Sequence, residues 1–175
     1  ADGLHYEARI HRHGAIATRP DNWHDLLNAL VWLRWPRLKA ALNLRQVLDL
    51  ERHGPAQRSR AQCALTHFDE GGVIVVLRDA ALLPLWDGHH WQRLFVDARD
   101  AWCDGRIELH VFGHALLEHA LAPGLLPTAK CLVVLDAGEC PNPCRTALES
   151  ALAGAIVRGE LLCDPQELRP LPLAG

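Results

Sequence analysis

The 175-residue chain contains no Met, and what it lacks narrows its class before any motif is considered. No apolar run approaches the ~18–20 residues that a membrane-spanning helix needs. Nothing at Ala1 resembles a signal peptide, so the expectation is a cytoplasmic protein without a membrane span. The missing Met implies that the native start is absent and the chain is trimmed. There is no internal repeat and no low-complexity tract. No Walker loop or dinucleotide glycine fingerprint is present, which argues against ATP-dependent and Rossmann chemistry. The only serines, Ser59 and Ser150, lie in no nucleophile-elbow context. A basic excess is also missing. The net charge is −3, which argues against a general nucleic-acid binder.

What is present reads as an ordinary globular domain, 49% hydrophobic and 22% charged, with eleven His, six Trp and six Cys. The length suits one domain, 1–175, large enough to bury a core without disulfides. The irregular Cys spacing reads as reduced thiols rather than a disulfide framework. Charge is uneven. Residues 1–60 hold ten basic and six acidic side chains, and residues 61–175 hold eight and fifteen. A local basic surface near the N-terminus, even a nuclease surface, therefore stays open beside an ordinary solvated one.

Periodicity and punctuation predict an α+β fold: a single, mostly helical domain with a small mixed β-sheet. Residues 1–17 read as an N-terminal arm. Thr18 to Asp21 has capping-box spacing, and a helix should run from about Asp21 to Trp35. Pro36 restarts a second helix to about Arg52, stopped by His53-Gly54-Pro55. Leu65–Asp69 and Val73–Leu77 read as two strands of a hairpin turning at Glu70-Gly71-Gly72. Residues 79–86 suggest a short helix, Trp91–Trp102 a longer one, Ile107–Phe112 a strand and His114–Leu121 a helix. Cys131–Leu135 should be a buried strand. Asn142 and Pro143 should open a last helix ending near Gly159. Residues 168–175 should form an extended tail.

Three constellations could carry chemistry. In the first helix, Leu26, Leu30 and Leu33 share one face. His24, Asn28, Val31 and Trp35 lie opposite, flanked by Asp25 and Trp32. Such a stripe needs polar partners when buried, whether as an internal network or as a binding surface. His114 and Glu118 stand at i and i+4, where both can ligate one metal or the Glu can orient the His as a base. Asp69 and Glu70 fall at the hairpin tip. Brought together, these residues form a mixed N/O set suited to a divalent metal, Zn or Mn, that could activate water. His24, Asp69, Glu70 and His114 are the candidate ligands. His24, Asp25, Asn28, His114 and Glu118 are the candidate catalytic residues. Arg19 is the candidate handle for an anionic small-molecule ligand, with Trp32 and Trp35 beside it. Cys144, near a helix N-terminus and x3 from Cys140, is the thiol best placed for reactivity.

The block Thr18-Arg19-Pro20-Asp21-Asn22-Trp23-His24-Asp25-Leu26-Leu27-Asn28-Ala29-Leu30-Val31-Trp32 resembles the hallmark of a bacterial family known only as a domain of unknown function. Pro36–Asn43, Leu65–Gly72 and Phe112–Glu118 resemble further blocks of it, and Pro170–Gly175 resembles its closing segment, which usually continues a few residues further. The resemblance implies no established activity, so no catalytic role is carried over from it. Cys140 and Cys144 lie in none of these blocks. The reading that emerges is a domain with one polar pocket, either a metal-assisted hydrolase or a non-catalytic domain that binds a ligand or protein.

Overall fold

A computed structural model describes residues 3, 5–54, 57–122, 124, 127–136 and 145–173. Eight α-helices and four strands are described, and helices cover both faces of the sheet. The chain opens with α1 (Tyr6–His13), α2 (Trp23–Arg34), α3 (Pro36–His53) and α4 (Arg60–Gly71). Strand β1 (Gly72–Leu77) follows α4 without a loop. After α5 (Leu83–Asp87) and α6 (Arg99–Cys103) come β2 (Ile107–Val111), α7 (His114–His119), β3 (Thr128–Leu135), α8 (Arg145–Arg158) and β4 (Arg169–Pro172). The sheet order is β2-β1-β3-β4, with β1 and β3 parallel and both edge pairings antiparallel. This is the expected mixed sheet in a mostly helical α+β domain.

Every residue of β1 is buried, as a central strand covered on both faces requires. Ile74 joins Leu38, Leu65, Phe68, Phe112 and Ile156 in the core under α3, α4 and α8. Val73, Val75 and Leu77 pack on the other face with Trp86, Leu94 and Leu171. At the start of α3, Trp35 supplies no side-chain cap. Buried Glu149 of α8 fills that role, accepting from the backbone N–H of Arg37 at 2.8 Å and of Leu38 at 3.3 Å. A carboxylate suits the positive end of a helix.

The expected hairpin is not formed. Leu65–Asp69 lies within α4, and Glu70-Gly71-Gly72 is the junction from that helix into β1. The helix wins because Ser59 and Gln62 form a reciprocal capping box, and because Ala64, Leu65 and Phe68 fall on one helical face in the core. The segment read as an arm contains α1, anchored through buried Ile10. Helix α2 is capped by Asn22, whose Oδ1 accepts from Asp25 N–H at 2.9 Å, rather than by the Thr18–Asp21 box. The long helix expected over Trp91–Trp102 is interrupted by a π turn, Arg93–Asp97, where the Leu94 carbonyl accepts from Trp102 Nε1 at 2.8 Å. Part of the extended tail, Arg169–Pro172, is edge strand β4. Asn142, Pro143, Cys140 and Cys144 lie outside the described residues. Among the described thiols, Cys131 is fully buried and desolvation pushes it up to about 12, so it is no nucleophile.

A candidate metal centre in a polar cavity

Helix α2 is turned inside out. Leu26, Leu30 and Leu33 are 48%, 48% and 79% exposed, whereas Asp25 and Asn28 are buried at 9% and 7%. Burying polar groups ahead of leucines costs stability unless each finds a partner. The partners line a cavity of about 380 Å3 walled by α1, α2, α3, α4 and the start of α7.

The most buried polar group on the cavity is His114, 2% exposed at the first position of α7. Its Nε2 lies 3.0 Å from His24 Nε2 and 3.4 Å from Glu70 Oε2. One ligand atom from each of His24, Glu70 and His114 falls within 4.8 Å of the others. His24 Nδ1 is 2.8 Å from Glu118 Oε2. A carboxylate on one ring nitrogen sets the tautomer and leaves the other with its lone pair outward, the arrangement that orients metal-binding histidines. Burial pushes His114 below the usual histidine range, which favours the neutral ring a metal requires.

Two glycines allow these elements to meet. A Cβ on Gly113 would fall 2.4 Å from the Glu70 carbonyl oxygen, and one on Gly72 would fall 2.2 Å from that of Phe68. The Gly72 carbonyl accepts from Phe112 N–H at 3.0 Å and Gly113 N–H at 2.8 Å. The end of α4 and the start of α7 are therefore locked side by side, which puts Glu70 next to His114. Phe68 and Phe112 stack beneath them with ring centroids 4.8 Å apart. The blocks around Gly72 and Gly113 are thus the two halves of one junction.

The remaining candidates take different places. Asp69 sits beside Glu70, but its Oδ1 accepts from Lys39 Nζ at 2.6 Å, outside the His24–Glu70–His114 triad. Glu118 pairs with His24 of α2, not with His114 of its own helix. Arg19 forks onto Asp25, with Nε and Nη2 each 2.9 Å from a carboxylate oxygen, and adds its backbone N–H at 2.7 Å. These bonds hold the Asp25 carboxyl down at about 2. Two of the three Arg19 guanidinium nitrogens are thereby engaged by Asp25. Trp32 lines the cavity, while Trp35 is buried in the core, with the Arg34 and Arg145 guanidinium carbons 5.9 and 5.4 Å from its ring centroid.

Sequence reasoning missed Lys39, Asn43 and Glu7. Lys39 is 3% exposed and donates from Nζ to Asn28 Oδ1 at 2.8 Å as well as to Asp69. Asn43 Nδ2 donates to Glu7 Oε2 at 2.6 Å and to the Glu7 carbonyl at 2.9 Å. Burial pushes the Glu7 carboxyl up. The available signal was a second stripe at helical spacing on α3, where Lys39, Asn43, Gln46 and Leu50 all line the cavity.

Among the described residues no helix is long and apolar enough to cross a membrane. The sequence model of the family described as Protein of unknown function (DUF3025) matches residues 1–175, and the chain belongs to that family. Neither the curated proteins nor the solved structures include a match.

Proposed function

We propose that this member of the family is a hydrolase acting through one divalent metal, Zn or Mn, held by His24, Glu70 and His114. The observation that carries the reading is the convergence of three ligand atoms within 4.8 Å on a cavity wall. Two imidazoles and one carboxylate form a set used by hydrolytic zinc sites, and three protein ligands leave a position for water. A metal there would lower the pKa of its bound water to about 7 and polarise the bond under attack. Glu118 supports the assignment from the outer side of His24. Glu7 lies on the same cavity, its carboxyl raised by burial.

A non-catalytic reading has one observation in its favour. Glu118, His24 and His114 form a continuous hydrogen-bonded chain, at 2.8 and 3.0 Å, that could serve as an internal network. Metal analysis of tag-free protein separates the two. The hydrolase reading expects near-stoichiometric Zn or Mn, a rise in melting temperature on adding it, and loss of both in Glu70→Gln. It also expects metal-dependent cleavage within a panel of chromogenic carboxyl and phosphate esters. Protein that binds neither ion, and whose melting neither ion moves, has the network and not the enzyme.

A further inference from the structure

Lys39 is buried, and a buried ammonium needs acceptors for all three of its hydrogens. Two go to Asn28 Oδ1 and Asp69 Oδ1. The third has no oxygen acceptor among the described residues. The ring centroids of Trp32 and Phe112 lie 5.4 and 5.9 Å from Nζ. Those distances sit near the outer limit of about 6 Å for an ammonium over a ring, so the rings do not replace the missing oxygen.

Nearby donors are also unspent. Trp32 Nε1 is buried with no hydrogen-bond partner among the described residues. The Tyr6 hydroxyl accepts from Asn28 Nδ2 at 3.0 Å, and its own hydrogen has no acceptor there. Burial pushes the Tyr6 phenol up, so that hydrogen stays in place. Lys39, Trp32 and Tyr6 all line the same cavity as the triad. Charge points the same way. Asp25 is matched by Arg19, while Asp69, Glu70 and Glu118 stand against the single ammonium of Lys39. A divalent ion would offset the two excess carboxylates and leave the group neutral, with the third hydrogen of Lys39 still to be accepted.

Resting on the metal reading of the triad, we infer that the substrate is a small molecule carrying a carboxylate or phosphate. An anionic oxygen of that group accepts from Lys39, with Tyr6 and Trp32 as further donors. An ammonium bonded to an anionic oxygen is among the stronger hydrogen bonds a protein makes, and here it would form out of bulk water.

The chain has only two lysines, Lys39 and Lys130, so protein labelled at lysine Cε and Nζ gives two side-chain signals. Lys130→Arg assigns them. The full chain is loaded with Zn and titrated with inorganic phosphate and, separately, with acetate. The Lys39 signal should move saturably with at least one anion while that of Lys130 stays put. Lys39→Gln should weaken that anion by about tenfold or more and leave Zn affinity within about threefold. If Lys39→Gln does not fold, the lysine signals of the unmutated protein decide. Zn bound with the Lys39 signal unmoved by both anions overturns the inference and spares the metal reading. Failure to bind Zn or Mn at all overturns the metal reading and the inference with it.

Discussion

His24 and His114 stand 90 residues apart in the chain and meet nitrogen to nitrogen at 3.0 Å, their rings edge to face. Two basic nitrogens at that distance need either a shared proton or a shared cation. The carboxylates on either side, Glu118 behind His24 and Glu70 beside His114, favour positive charge at this contact, a shared proton or the proposed metal alike.

Glu118→Gln should show whether the outer carboxylate matters to the metal. It removes a charge from His24 Nδ1 without removing a ligand. Zn affinity, measured against a competing chelator, is expected to fall by about 10–100-fold with the fold intact. An unchanged affinity would mean that Glu118 plays no part in orienting His24.

Gly113→Ala forces a Cβ to within 2.4 Å of the Glu70 carbonyl oxygen. Overpacking of this kind costs about 1–3 kcal/mol. Denaturant unfolding should record that loss. Metal titration should record a larger proportional defect, because the strain falls between the segments that carry Glu70 and His114, two of the proposed ligands.

Glu149→Ala strips the cap from α3. Two backbone N–H groups lose a charged acceptor, and a loss of about 1.5–3 kcal/mol is expected in chemical denaturation. Glu149 caps the end of α3 that lies before Lys39, and it makes no bond to the triad. Metal affinity should therefore hold, which separates this change from Gly113→Ala.

Acid should reveal the Arg19–Asp25 pair. The Asp25 carboxyl sits at about 2 in the fold against 3.8 ordinarily. Its contribution is then fully present above pH 3.8 and lost as pH falls toward 2, because the unfolded chain takes up the proton first. Asp25→Asn should flatten that part of the stability profile. A profile identical to the unmutated protein's would show that the pair contributes nothing in solution.

Leu33→Glu and Asn28→Leu test the inverted helix from both sides. Leu33 is 79% exposed, so the first change should alter stability by no more than about 0.5 kcal/mol. The second makes α2 more apolar yet removes an acceptor from Lys39 and a donor to Tyr6. It should destabilise, since a buried ammonium left short of acceptors costs about 1–3 kcal/mol or more.

Much of this site could be read from local pattern. His24, Asn28, His114 and Glu118 stood out because helical spacing put chemically active residues where a solvated face would carry Lys and Glu. Lys39 escaped notice because a lysine on an amphipathic helix looks like an ordinary solvated charge; only burial of its head shows otherwise. Leu65–Asp69 was misread because Leu-Thr-His-Phe-Asp can be read at either period, and the capping pair that decides for helix lies before it, at Ser59 and Gln62.

The sequence by itself determined the helical and strand character of most segments, the mixed α+β class and the polar stripe of α2. Those properties follow from periodicity, capping and turn chemistry, which act over a few residues. Which side of α2 faces inward, which histidine Glu118 serves, and that Glu70 rather than Asp69 joins the triad were decided only by tertiary structure. Each depends on which partner across the cavity a polar side chain meets, and on the Gly72–Gly113 contact that brings α4 and α7 together.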